Sequence, residues 1–347
     1  MRYSKTRLDA VGYELGPVVV GSAELEARLK PLYEKLRLCE GQLEQLTGIA
    51  ERRWWEEGYP LSEGAVRAAK KALEASNVRP GDIGALVYAG VCREHFEPAT
   101  ACRVADGVGV GGGAMVYDIS NACLGVLNGI VDIANRIELG HVRAGMVVSC
   151  ESAREINVVM IERMLKTRNM DFFKTALATL TGGSGAVALI LTDGSFSPGD
   201  RRRLVGGAAQ AAPEHHELSV WGLDRRSADG ISEFMAMDAV PVLRHGVQLG
   251  IRTWGEFLKA LGWSKEQVDK VICHQVGAAN KDSILKELGI SEDRDFSSFA
   301  YLGNMGTVSL PLTAALAEER GFLRPGDRVA FLGIGSGLNC LMLGWEW

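Results

Sequence analysis

The chain has 347 residues, about twice the usual single-domain length, and its 47% hydrophobic and 23% charged side chains exclude both a mini-protein and wholesale disorder. A formal charge of -5 and a pI near 5.8 provide no basic field for phosphates, which argues against nucleic acid as the main partner. The N-terminus MRYSKTRLDAVGYELG has no apolar h-region, no long apolar run follows, and seven scattered cysteines form no CxxC pair. Neither export nor a transmembrane segment is expected, and the cysteine usage fits a reducing cytoplasm.

In chain order, short apolar or β-branched runs at 18–20, 85–89, 115–119, 146–149 and 186–191 predict buried strands. Between them, 61–77 is alanine-rich with a polar face, and 124–139 is apolar on most sides, which predicts a deeply buried helix. After SFSPGDRRR at 195–203 the same order begins again. A strand at 204–212 precedes a long helix opening near Asp238, and Ser264 with Gln267 forms a capping box before Val268. Strands follow at 271–273, 329–332 and 338–347, and Gly-Ser-Gly precedes the closing strand of each half, at 183–185 and 335–337. The alternation predicts a duplicated α/β unit with mostly parallel sheets and its seam near 195–203, dividing the chain into 1–195 and 196–347.

Gly107, Gly109 and Gly112 satisfy GxGxxG, but a helix pattern at 99–106 enters them and a strand leaves them. That order is the reverse of a dinucleotide site and predicts a plain loop. Cys123, in DISNACLGVLNGI, follows a strand and directly precedes the most apolar helix. Helix N-terminal amides favour thiolate, so Cys123 is read as the reactive cysteine, whereas Cys39, Cys92, Cys102, Cys150, Cys273 and Cys340 are read as small hydrophobes. His274, in VICHQVGAAN, sits at the C-terminal edge of a strand, where α/β sheets place ligands, or else is a satisfied histidine at a helix start. The other histidines form neither HExxH nor a Cys/His metal spacing, so no metal site is expected. Asn304 stands in a glycine-rich turn before a helix expected to be capped by Ser309, with Pro311 in its first turn. Pro98 forces an extended Glu97 and leaves that carboxylate at a loop tip. Arg52, Arg53 and Trp54, with Trp55, are candidates for a nucleotide-tailed substrate, as is the run Arg201 to Arg203; short arginine runs are more often solvated loops.

In these contexts Cys123, His274 and Asn304 resemble the thiolase superfamily, specifically its ketoacyl synthase III branch. TGIAERRWW is similar to the branch's GIxxRR segment, SNACLG to its nucleophile segment, CHQV to its histidine segment, GNMGTVS to its GNxxxxS segment, and FLGIGSGLNC to its terminal glycine-rich turn. The resemblance implies a thiolase-like duplicated fold, with two mixed, mostly parallel sheets in five α-β-α-β-α layers. Glu97 in HFEPATA, HQV in place of HQAN, GIGSGLNC in place of a triple-glycine turn, and Ala279 where the synthases carry an arginine for acyl carrier protein are departures from the ordinary synthases. They resemble the branch members that join two acyl-CoAs head to head.

That resemblance implies that Cys123 holds an acyl group as a thioester, with its own amide and the Ser336 turn as oxyanion donors, while His274 and Asn304 polarise the second thioester. Malonyl groups yield a carbanion by losing carbon dioxide, whereas an unactivated acyl-CoA needs a base for its α-hydrogen. The resemblance gives this task to Glu97, reaching across a homodimer. The expected activity is a Claisen condensation of two fatty acyl-CoAs to a 2-alkyl-3-keto acid or thioester, with coenzyme A thioesters as substrates and no other cofactor. The runner-up is decarboxylative condensation of an acyl-CoA with a malonyl thioester. A papain-like protease lacks its signature here, and an acyl-CoA-binding protein without activity would be natural only if Cys123, His274 or Asn304 were replaced. Residues 156–180 are a candidate wall for an acyl channel, or else a core or dimer-contact segment.

Overall fold

The computed structural model describes residues 1–197, 202–225 and 230–347. Nine strands pair in the order Lys270–Cys273, Arg328–Gly335, Asn339–Glu346, Arg203–Ala211, Arg7–Leu15, Gly185–Thr192, Ala144–Glu151, Ala85–Ala89 and Met115–Ile119. The same plan is used twice: in each half the first strand lies beside the last, and the last beside its predecessor in the sheet. The two sets meet through the antiparallel pair Arg7↔Arg203, so hydrogen bonding makes one continuous sheet where two were expected.

Most pairings are antiparallel, which corrects the expectation of mostly parallel sheets. Parallel pairing joins Ala85–Ala89 to its two neighbours and Lys270–Cys273 to Arg328–Gly335, whereas the closing strand of each half is antiparallel to both neighbours. The connection between Arg328–Gly335 and Asn339–Glu346 has room only for residues 336–338. A link that short permits a hairpin and forbids a crossover.

Side-chain alternation along these strands separates three apolar clusters. Val87, Val147 and Leu189 from the first half and Phe331, Leu341 and Leu343 from the second enclose the helices Gly125–Glu138 and Ser309–Glu319. Every residue from Ser309 to Ala317 is buried, so that helix has no polar face; a helix covered on all sides is built this way. On the opposite faces, Leu86 and Tyr88 pack under the helices Leu61–Glu74 and Thr100–Val108, and Leu332, Cys340 and Met342 pack under Ala239–Leu261.

Several local expectations change. Val18–Gly21 pairs only with Glu51–Trp54, in a separate ribbon. Met115–Ile119 is an edge strand and only partly covered, with Met115 40% exposed. The glycines at 107–112 end a helix at Gly109, whose φ is 76°, and form the expected loop. Ser309 is the first helical residue and Val308 the cap; the Ser309 hydroxyl accepts the Met305 N–H at 2.7 Å. Part of the seam, including Arg201, lies outside the described residues. Arg202 and Arg203 meet Glu318 and Glu346, at 2.8 and 3.1 Å, as structural ion pairs within the fold.

Candidate active site

Cys123 sits on a tight bend between the edge strand Met115–Ile119 and the central helix Gly125–Glu138. Ala122 has φ 45°, a left-handed conformation that costs a non-glycine residue of order 1–3 kcal/mol and persists only where the surroundings enforce it. They do so from both halves. Asn121 donates to Asn128 at 2.8 Å and accepts from Asn339 at 3.2 Å, while a Cβ at Gly335 would lie 3.4 Å from the Cys123 nitrogen. The terminal glycine turn is therefore pressed against the Cys123 backbone.

Burial pushes the Cys123 thiol up to about 12, with the Glu151 carboxylate adding to the effect and its own backbone N–H opposing it. This overturns the expectation of a thiolate stabilised by the helix. The Val126 N–H, in the first turn, is consumed by the Thr307 hydroxyl at 2.7 Å. With one helical donor taken and a carboxylate nearby, desolvation dominates. The resting sulfur is a thiol and needs a base.

His274 leaves the end of Lys270–Cys273, its N–H still bonded to the Leu332 carbonyl at 3.0 Å. Its ring is buried, both ring nitrogens lack a partner among the described residues, and burial pulls its pKa down to about 4. It is thus a neutral imidazole with acceptor and donor unspent. The next residue, Gln275, accepts from the Ser298 and Phe299 N–H groups at 2.8 and 3.1 Å and donates to the Cys273 carbonyl at 2.6 Å. This amide ties the histidine strand to the segment that leads into Asn304. The Asn304 backbone is pinned on both sides, donating to Thr181 at 2.8 Å and accepting from Gly183 at 2.9 Å. A Cβ at Gly183 would meet the Leu302 carbonyl at 2.0 Å, so only glycine allows that approach. The Asn304 Oδ1 accepts from the Gly306 N–H at 3.0 Å and from Ser309 Oγ at 3.5 Å, which leaves Nδ2 as the available end.

Two cavities meet at Cys123. The narrower, about 130 Å³, is lined by Cys123, His274, Asn304 and Ser336 and by apolar side chains of Ala239–Leu261 and its facing strands. The wider, about 450 Å³, is lined by Cys123, Asn304, Ser336, Glu151 and Ile156, among others. Ser336 donates to Ser219 at 2.9 Å, and both serines line both cavities. Four of the expected residues, Cys123, His274, Asn304 and Ser336, are therefore brought together.

Glu97 is not. It is exposed on the loop before Thr100–Val108, beside Phe96, which is 88% exposed, and lines neither cavity. The carboxylate within the chain's own site is Glu151, which sequence reasoning missed. It is buried, and burial raises its pKa against the N–H groups of Val91 at 2.9 Å and Cys92 at 3.0 Å that bind its oxygens. Its sequence signal was an acid closing the fully buried strand Ala144–Glu151. Arg52 and Trp54, proposed as substrate contacts, are corrected by their burial. The Arg52 guanidinium bonds to the Val20 carbonyl and Ser22 at 3.2 and 3.0 Å, burial lowers its pKa to about 10, and Trp54 donates to the Gly182 carbonyl at 3.1 Å. Strand alternation in Glu51–Trp54 turns both side chains inward and leaves Arg53 partly exposed, though it too lines neither cavity. Of the segment 156–180, Ile156, Ala178 and Thr179 line the wider cavity, and Ile156 also joins Met160, Ile161, Met164 and Phe173 in a separate core.

Among the described residues no group of three His, Cys, Asp or Glu could hold a metal, and no helix is long and apolar enough to cross a membrane. Residues 258–347 match the C-terminal domain of 3-oxoacyl-[acyl-carrier-protein] synthase III. The whole chain is 57% identical over 349 residues to the acyl-CoA:acyl-CoA alkyltransferase of Shewanella oneidensis, with all of both chains covered. The chain belongs to the acyl-CoA:acyl-CoA alkyltransferase family. The Xanthomonas campestris alkyltransferase is 33% identical, again over all of both chains. The structure of a cysteine-to-serine variant of Xanthomonas campestris OleA, solved with lauric acid and lauroyl-CoA bound, superposes with a TM-score of 0.92, 32% identity and coverage of 99% of this chain and 100% of that one. A mixed α/β thiolase-like fold is common to both. Other structures of that OleA carry variants of one glutamate and one histidine.

Proposed function

We propose that this member of the alkyltransferase family condenses two fatty acyl-CoAs head to head, by a Claisen reaction through an acyl-Cys123 intermediate, to a 2-alkyl-3-ketoacyl product. The observation that carries the reading is the convergence of two cavities on one thiol, with a neutral His274 and the available Asn304 amide at the junction. Two tails need two spaces, and one nucleophile must face both.

In the first step the Cys123 sulfur attacks the acyl-CoA carbonyl while its proton passes to His274, an imidazole kept neutral by burial. The Cys123 N–H and the Ser336 turn stand as donors to the tetrahedral oxyanion. Collapse breaks the bond to coenzyme A, whose sulfur leaves with the proton from His274. In the second step a base removes an α-proton from another acyl-CoA, while the His274 N–H and Asn304 Nδ2 stabilise the enolate oxygen. The α-carbon then attacks the Cys123 thioester, the carbon–sulfur bond breaks, and the departing sulfur takes up the proton that the base removed, which regenerates the thiol. Coenzyme A enters as the substrate's handle, and every step uses side chains of the protein without a further cofactor.

We assign the α-proton to Glu97 of a second copy, in a homodimer whose site is composite. Supporting this, the described chain leaves Glu97 outside its own cavities, and the glutamate varied in Xanthomonas campestris OleA precedes that protein's varied cysteine by the same 26 residues that separate positions 97 and 123 here. Arg53, the less buried of the two arginines in its strand, remains the candidate for the nucleotide end of coenzyme A. We place the division between the two halves at 195/196, and the protein in the cytoplasm, in keeping with seven unpaired cysteines.

The test is to incubate purified protein with a single long-chain acyl-CoA, without malonyl-CoA, and to analyse products by mass spectrometry. A 2-alkyl-3-keto acid, its thioester or the derived ketone is expected. Product formation only when malonyl-CoA is added, with release of carbon dioxide, would overturn the reading in favour of a decarboxylative synthase.

A further inference from the structure

The narrower cavity runs along one face of Ala239–Leu261, on which Val242, Leu243, Gly246, Val247 and Gly250 are one helical turn or less apart. The two glycines are unlike the rest of that face. A Cβ at Gly246 would lie 3.1 Å from Ile334 Cδ1, and one at Gly250 would lie 2.8 Å from Ile284 Cδ1. Each glycine thus receives the tip of an isoleucine that also lines the cavity. A methyl at Gly250 displaces the Ile284 tip and one at Gly246 makes the Ile334 tip give by a few tenths of an ångström, and since Cδ1 is the far end of a rotatable side chain, the cheapest way out is into the lumen.

The pairs stand at different depths. Ile334 adjoins Gly335, which is pressed against the Cys123 nitrogen, so Gly246 and Ile334 flank the region near the nucleophile. Gly250 and Ile284 lie one turn farther along the helix, about 6 Å, or on the order of five carbons of an extended chain. The same cavity holds the buried, unpartnered nitrogens of His274, so its occupant reacts at one end.

We propose that the pairs Gly246–Ile334 and Gly250–Ile284 gauge the length of the fatty acyl tail in this cavity, by letting two isoleucines fold back against the helix. The inference rests on the condensation of two acyl-CoAs proposed above, and it names the residues that set chain length in one of the two spaces.

The test compares unsubstituted protein, Gly246→Ala, Gly250→Ala, Ile284→Ala and Gly250→Ala/Ile284→Ala on a series of saturated acyl-CoAs of increasing length. Cys123 acylation and condensation product are both read by mass spectrometry. Gly250→Ala should shift the optimum to shorter chains, with about a tenfold loss on the longest, and Gly246→Ala should cut at a shorter length still. Ile284→Ala should move the optimum to longer chains, and the double variant should return toward the unsubstituted profile. Unchanged length profiles in variants that still make product overturn the gauge. If Gly250→Ala does not fold, Ile284→Ala alone decides, and no lengthening there refutes the proposal. Absence of condensation by the unsubstituted protein refutes the underlying activity instead.

Discussion

Two carboxylates flank the nucleophile in sequence, and the fold treats them oppositely. Glu151, 28 residues after Cys123, is buried in the wider cavity and bound by two backbone N–H groups. Glu97, on a loop, is exposed and lines neither cavity. A carboxylate whose oxygens already accept fixed N–H groups is held in place and is not free to meet a substrate, whereas an uncommitted one is free to move but must first reach the reacting carbon. Glu151 fastens the loop that leads to Glu97, so one acid positions the segment that presents the other.

Breaking the chemistry common to both should have the largest effect. Cys123→Ala should abolish the acyl-enzyme mass shift and lower condensation by about 10³-fold or more, measured by intact-protein and product mass spectrometry. Glu97→Ala should leave acylation of Cys123 in place and lower condensation by about 10²–10⁴-fold. Mixing the Glu97→Ala and Cys123→Ala proteins under subunit exchange should restore part of the activity; no recovery in verified mixed dimers would remove Glu97 from the partner's site.

The charge state of the junction sharpens the contrast. Below the ordinary histidine pKa of about 6.5 the unfolded chain takes up a proton that the folded chain refuses until about pH 4 at His274. Stability at that residue is therefore lost as pH falls through this window, by on the order of 3 kcal/mol. Urea midpoints of His274→Asn should fall less steeply over that range than those of the unsubstituted protein. The smallest effect is expected at Glu151. Glu151→Gln removes the charge that helps hold the Cys123 thiol up, so alkylation of Cys123 by iodoacetamide should rise at lower pH. The same change sets an amide nitrogen against a backbone N–H and should cost about 1–3 kcal/mol of stability.

Much of the site was legible because its residues sit at element boundaries, where sequence speaks most directly. Cys123 stands before an apolar helix, His274 after a short strand and Asn304 between glycines, and the resemblance of SNACLG, CHQV and GNMGTVS to ketoacyl synthase III segments singles the three out. The helices around 61–77 and 124–139 were recognisable from periodicity and appear as Leu61–Glu74 and Gly125–Glu138. Arg52 and Trp54 were misjudged because a four-residue strand hides which side chains turn inward until its partner is known. The thiol's acidity is not legible in the sequence because burial, with the Glu151 carboxylate adding to it, outweighs the helix N-terminus, and both exist only in the folded chain.

Periodicity and turn chemistry, which are local properties, were enough to outline the duplicated α/β plan, while Cys123, His274 and Asn304 were picked out as candidates by the resemblance of their motifs to the ketoacyl synthase III branch. That two cavities share one sulfur, that the pairing is mainly antiparallel, that Glu151 and not Glu97 lies inside the chain's own site, and that two glycines make room for two isoleucines emerge from the folded chain alone. Each of those depends on atoms far apart in the chain meeting within a few ångströms, and desolvation and close packing exist only once they do.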